Sequence, residues 1–244
     1  MPSLKLIRGL LLLSLVNGAS LSAQTLVAGW DFNAGSAVAS HGSGTLTLGT
    51  GIDVAAVAFA GTGTSVNAVS GDVAGTAMTF TRTVGNDTGM FTLQIATTGL
   101  AGPVLTYAVS NAVVDAASAF SGIDWSYSLD NSSYTAFGSG GAFTTTYTTQ
   151  TLDFSSLGGT LANQDTVFLR GVLSGDAVAG AAAGVTLFDN IQITASAIPE
   201  PGVCAALIAV AALAVAGGRR SGKRHLFATE YNRAATLKSS GACA

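Results

Sequence analysis

Positive charge is almost absent from the middle of this chain. Of ten Lys and Arg residues, only Arg82 and Arg170 lie between residues 24 and 198. Against those two cations stand eleven Asp and no Glu, a formal charge of −9 for the segment. Such a body repels a phosphate backbone, which excludes nucleic acid as a partner. Charged residues of both signs make up 9% of the sequence, far below the ~25% of an ordinary soluble domain. Asp without Glu marks turns and strand ends, where a short carboxylate bonds nearby backbone N–H groups. Cysteine is missing from the same segment, since Cys204 and Cys243 both lie beyond it. The body therefore has no disulfide framework, no thiol nucleophile and no thiolate metal site. Its single histidine, His41, sits in "SHGSGT" and reads as a solvated loop residue, with no nucleophile elbow to make it the base of a triad. Long amphipathic helical patterns and fixed-period repeats are also lacking, which excludes bundles, solenoids and propellers.

What is present has a period of two. "TLVAGWDF", "TAMTFTRT", "MFTLQIAT", "VLTYAVS", "IDWSYSLD", "TLDF", "TVFLRGVL" and "VTLFDNIQIT" alternate apolar residues with Thr, Ser or Asp. Turn signals such as "GND", "DNSS" and "GSGG" separate them. The segment "NAVVDAASAFSG" is compatible with a short helix or a loop. Alternation of this kind predicts antiparallel sheets buried on one face, about nine to twelve short strands in all, hence an all-β sandwich of jelly-roll type. Trp30 and Trp125 share strand faces with aliphatic neighbours and are expected in the core. Tyr134, Phe137 and Tyr147 lie near expected loops, better placed for a ligand.

The two ends read as addresses. Residues 1–23 have a basic start (Lys5, Arg8), a short apolar run "GLLLLSLV" and small residues before Ala23, the order of a secretory signal peptide. Near the other end, Gly202–Gly218 is a run of 17 uncharged residues, about 25 Å as a helix. Arg219, Arg220, Lys223 and Arg224 follow at once, so a helix spanning the membrane here keeps its C-terminal end in the cytoplasm and the body outside. The expected organisation is a signal peptide (1–23), a β-sandwich body (24–197), a proline-flanked span (198–220) and a basic cytoplasmic tail (221–244).

"IPEPGVCAALIAVAALAVAGGRR" resembles the PEP-CTERM sorting signal: Pro199, Glu200 and Pro201, an apolar helix, then Arg219 and Arg220. The resemblance implies export, transient anchoring in the inner membrane, and cleavage by an exosortase, a membrane-embedded cysteine protease. The protein is then a substrate of signal peptidase and exosortase, bound for the cell surface or the extracellular matrix. The 24 residues after Arg220 depart from the family, whose signals end close to the basic cluster. "WSYSLDNSSYTAFGS", "TVFLRGVL" and "LFDNIQITA" further resemble bodies of PEP-CTERM proteins that look like galactose-binding or carbohydrate-module jelly rolls, with Asp130-Asn131 in place of the usual Asp-Gly turn. That resemblance implies a non-enzymatic surface protein or, alternatively, a carbohydrate-binding module for exopolysaccharide. A secreted hydrolase using paired Asp is a third reading.

In "LFDNIQI" the period of two puts Asp189 in line with Leu187, Ile191 and Ile193. A carboxylate on a core face needs a partner. Three arrangements satisfy it: a buried pair with Arg170, a bulge that turns Asp189 to solvent, or a structural calcium ion shared with Asp31, the last implied by the jelly-roll resemblance. No other cofactor is expected. Intact-mass analysis of secreted material tests the addresses: the expected mature chain begins near Gln24 and lacks Val203–Ala244, Glu200→Ala leaves an uncut membrane-held form, and a secreted chain ending at Ala244 contradicts the sorting signal.

Overall fold

The computed structural model describes residues 23–49, 57–83, 88–112, 119–175 and 184–199. The signal peptide, Glu200, Pro201, the apolar run, Arg219, Arg220, the tail and most of the "NAVVDAASAFSG" segment lie outside these residues. No helix among the described residues is long and apolar enough to cross a membrane.

Among the described residues, twelve strands form two antiparallel sheets. The first joins β10 (Thr148–Asp153), β7 (Leu100–Asn111), β12 (Val185–Ala197), β1 (Gln24–Trp30) and β2 (His41–Gly42), with β5 (Thr76–Thr81) and β4 (Val57–Thr62) attached through β12. The second runs β3 (Thr45–Leu48), β6 (Met90–Ile95), β11 (Val167–Ser174), β8 (Gly122–Ser128) and β9 (Thr135–Ser139). A 3₁₀ segment, Phe154–Leu161, broken by a kink at Gly158 (φ 58°), follows β10, with Asp153 as its N-cap accepting from the Ser155 amide. The all-β sandwich expected from the period of two is therefore the observed architecture.

Each apolar strand face closes one core. Phe188 of β12 packs against Phe80, Phe91, Tyr107 and Phe143 with ring centroids 5.6–5.8 Å apart. Edge-to-face pairs of this kind add about 0.5–1.5 kcal/mol each beyond area burial. Trp30 and Trp125 are both buried in the core, as their neighbours implied. Between the sheets the Trp125 indole donates to the Tyr107 hydroxyl at 3.3 Å, and burial pushes that phenol up to about 12. The pattern slips at the end of "IDWSYSLD": Tyr127 is only half-buried, Ser128 is buried, and Leu129 lies past the end of β8 and is exposed.

The long strand β12 organises the larger sheet. Along one edge it pairs with β7. Along the other it pairs first with β5 (Val185–Phe188) and then with β1 (Ile191–Ser196). At the changeover, residues Asp189 and Asn190, the register with β7 slips and Asn190 adopts a left-handed backbone (φ 48°). The gap between β5 and β1 is filled by residues 63–67. The Thr64 amide donates to one Asp189 oxygen at 2.7 Å and the Asn190 amide to the other at 2.8 Å. The Asn190 side chain donates to the Thr64 and Val66 carbonyls, and Asn67 donates to the Asn190 carbonyl.

This arrangement corrects the expected partner of Asp189. The bulge is present, but the carboxylate stays inside, 1% exposed. Arg170 cannot reach it as an ion pair. Arg170 alternates with buried Leu169 and Gly171 on β11, in the other sheet, and points away from the core. The carboxylate is held instead by two backbone N–H groups.

Two amides do not fully replace water, and burial, with a smaller push from the Asp31 charge, raises the Asp189 carboxyl to about 6. A folded-state value above the unfolded 3.8 means the native state binds the extra proton between those limits. Asp189 therefore adds stability that is complete below about pH 3.8 and lost as pH rises through about 6. In urea titrations of residues 24–198, the wild type minus Asp189→Asn difference is expected to grow by about 2 kcal/mol from pH 7.5 to pH 4.5. A pH-independent difference, or one of opposite slope, contradicts this account.

Candidate functional site

The outward face of the five-stranded sheet is built on its middle strand, β11. There Phe168, Arg170 and Val172 alternate with buried neighbours and are half-buried. The register places Thr47, Thr92, Arg170 and Ser126 in one row across β3, β6, β11 and β8. Thr45, Gln94, Phe168 and Ser128 form the next row. Neutral hydroxyls and an amide thus surround a single guanidinium.

Tyr134 covers that guanidinium, and the hairpin between β8 and β9 puts it there. Asp130 accepts from the Ser132 and Ser133 amides at 2.9 and 2.8 Å and from the Ser128 hydroxyl at 2.8 Å. These bonds, the backbone ones foremost, hold the Asp130 carboxyl well below the usual carboxylate range. Asn131 takes the left-handed conformation (φ 58°) that Asn tolerates, and its side-chain oxygen accepts from the Tyr134 hydroxyl at 2.5 Å. The ring then lies over Arg170, whose central carbon is 3.6 Å from the ring centroid. The guanidinium finds no hydrogen-bond acceptor and no ion-pair partner among the described residues, and its Nε is sealed from solvent without a partner. The sequence flagged Tyr134 for a ligand and Arg170 for Asp189, and nothing in the spacing joined the first two. Of the other aromatics flagged, Phe137 stacks on Phe154 at 4.1 Å and Tyr147 donates to the Thr62 carbonyl at 2.6 Å.

A second polar group gathers at the end of β1. Asp31, His41 and Asp72 bring one ligand atom each within 4.8 Å of one another. His41 Nε2 lies 2.8 Å from Asp72 Oδ2, so His41 is a half-buried hydrogen-bond partner of Asp72 and not a solvated loop residue. Asp31 accepts from the amide and the side chain of Asn33. The calcium ion implied by the jelly-roll resemblance needs an all-oxygen set from Asp31 and Asp189. Asp189 stands outside the group, and both of its oxygens are engaged by backbone N–H groups. The set that does form includes an imidazole, a ligand calcium does not favour, so the residues present do not fit that ion.

No protein-family model and no curated protein matches the chain. Solved structures with a similar course include the tandem CBM22 domains of Xyn10C from Paenibacillus barcinonensis, at 13% identity and a TM-score of 0.45, covering 76% of this chain and 50% of that one. A cleaved adhesin domain of Lys-gingipain from Porphyromonas gingivalis matches at 14% identity and a TM-score of 0.42, over 69% of this chain and 97% of the other. A family 11 carbohydrate-binding module from Clostridium thermocellum, in complex with a mixed-linked tetrasaccharide, matches at 13% identity and a TM-score of 0.32, over 66% and 88%. The neighbours thus include carbohydrate-binding modules with a β-sandwich fold.

The hairpin makes a separable prediction. Asn131→Val forces a β-branched residue into the left-handed region and is expected to cost about 1–2 kcal/mol in thermal or urea unfolding. Asn131→Gly keeps the backbone and removes only the anchor of the Tyr134 hydroxyl. It is expected to leave stability nearly unchanged while raising the mobility of the Tyr134 ring in NMR. Equal destabilisation by both variants contradicts the assigned role of the backbone.

Proposed function

We propose that this chain is an exported, non-enzymatic surface or matrix protein whose jelly-roll-type body binds polysaccharide. The carrying observation is the half-buried Arg170, stacked under Tyr134 on an outward sheet face and lacking any acceptor among the described residues. A folded protein leaves few preorganised donors unspent, and an aromatic ring beside a fixed fork of N–H groups amid hydroxyls suits a sugar. Tyr134 offers a face to sugar C–H groups, Arg170 donates to oxygens, and Thr92, Gln94 and Ser126 border them. The absence of Cys from the body and the scarcity of His agree with a binding role. The address segments supply the route: signal peptidase at the start, and sorting through Pro199, Glu200, Pro201, Arg219 and Arg220 at the end.

Affinity electrophoresis of residues 24–198 through gels carrying different polysaccharides tests the reading. Retardation is expected in at least one gel, and Tyr134→Ala is expected to lower affinity about tenfold, as loss of about 1–1.5 kcal/mol of stacking implies, with an unchanged melt. No retardation by any neutral or acidic polysaccharide overturns it.

A further inference from the structure

The polysaccharide reading leaves the ligand's chemistry open, and resting on that reading, we infer that the Arg170 face selects a largely neutral polysaccharide carrying sparse carboxylates, such as one uronic acid per repeat unit.

Arg170 is one of two cations between residues 24 and 198, and the other, Arg82, is 1% exposed, donates to the Ala119 carbonyl and lies over the Phe120 ring. Arg170 is thus the body's one Lys or Arg turned outward. Carboxylates lie close to it in the fold. Asp124 stands on the adjacent strand β8, opposite Val172, and Asp130 anchors the adjoining hairpin. Neither pairs with it. Asp124 accepts from the Ser139 hydroxyl at 2.6 Å, and Asp130 is committed to Ser128, Ser132 and Ser133. Among the described residues the nearby carboxylates are therefore spent elsewhere, and the guanidinium is held under Tyr134. A planar fork with donors free matches a carboxylate in two parallel bonds better than it matches a lone hydroxyl.

The surroundings set the charge density of that ligand. The rows beside Arg170 offer Thr47, Thr92, Ser126 and Gln94, all neutral, so neighbouring sugars meet no second cation. The body's formal charge of −9 repels a polymer with a carboxylate on every residue. One carboxylate can sit on Arg170 within the ~8 Å screening distance of physiological salt, and a dense row of them gains nothing further and meets the acidic field.

Three polymers separate the outcomes: gellan, which carries one glucuronate per repeat, the same gellan with its carboxyl groups reduced to alcohols, and polygalacturonate, charged on every residue. Binding of the full secreted protein and of residues 24–198, a segment with its own closed core, is measured by affinity electrophoresis and calorimetry. Native gellan is expected to bind at least about tenfold more tightly than reduced gellan, and Arg170→Gln is expected to erase that difference. Arg170→Lys keeps the charge without the fork and is expected to recover only part of it. Melts of each variant establish that the fold is intact. Polygalacturonate is expected to bind more weakly than gellan and to improve as salt rises. Equal binding of native and reduced gellan, or a preference that survives Arg170→Gln, overturns the carboxylate inference and leaves the polysaccharide reading standing. Tighter binding of polygalacturonate overturns the sparse-charge part. Failure to bind any of these polymers, or any neutral glucan or xylan run beside them, overturns both.

Discussion

The larger sheet depends on two backbone N–H groups meeting one carboxylate. β12 must change neighbours halfway along one edge, from β5 to β1, and a strand that changes neighbours leaves peptide groups without a ladder partner. Asp189 and Asn190 solve this locally. Asp189 takes the Thr64 and Asn190 amides, while the Asn190 side chain serves the Thr64 and Val66 carbonyls. The Gln192 side chain donates to the Asn67 carbonyl from one turn of the pleat further on. Residues 63–67 thus complete the sheet edge where a strand could not. Further along the same loop, Gly75 packs so closely on Asn33 that any side chain there would overlap its amide oxygen.

That construction explains why the fold was legible in the sequence and the partner of Asp189 was not. Burial follows alternation, and alternation is local, so "MFTLQIAT", "IDWSYSLD" and "VTLFDNIQIT" yielded their strands and most of their core faces. The strands that were not read are short or Gly-rich. His41–Gly42 offers two residues, and β4 ends in "AGT", so neither carries enough period to register. A carboxylate in a core phase signals only that something must hold it. Reading charge complementarity alone points to Arg170 or a cation, because backbone N–H groups are invisible in a list of side chains. The amide that holds Asp189 lies 125 residues away in a Gly-rich loop.

The Arg170 face shows the same limit from the other side. Each part was visible: the Asp-Asn turn, the aromatic after it and the Arg-bearing strand. Their meeting needed β8 to pair with β11 and the β8–β9 hairpin to fold back across it. Asn131 is the joint between sequence and site, since its tolerance of the left-handed backbone shapes the turn and its side chain then fixes the Tyr134 hydroxyl. The turn residue and the ring over Arg170 are therefore one device.

The position of the chain ends gives that device its access. Gln24 pairs with Ser196, and the Ile198 amide bonds to the Gly99 carbonyl, so the body begins and ends side by side on the seven-stranded sheet. A body tethered through either end is held by that sheet. Arg170 and Tyr134 face outward from the other sheet, across the core formed by Phe91, Trp125 and Phe188. The first and last residues of the body and the Arg170 rows thus fall on different layers of the sandwich. The division also separates the charges: the Asp31, His41 and Asp72 group lies in the loops around β1 and β2 of the seven-stranded sheet, and the one outward guanidinium lies on the other. In a body with nine more carboxylates than cations, that separation keeps the guanidinium clear of the His41–Asp72 contact.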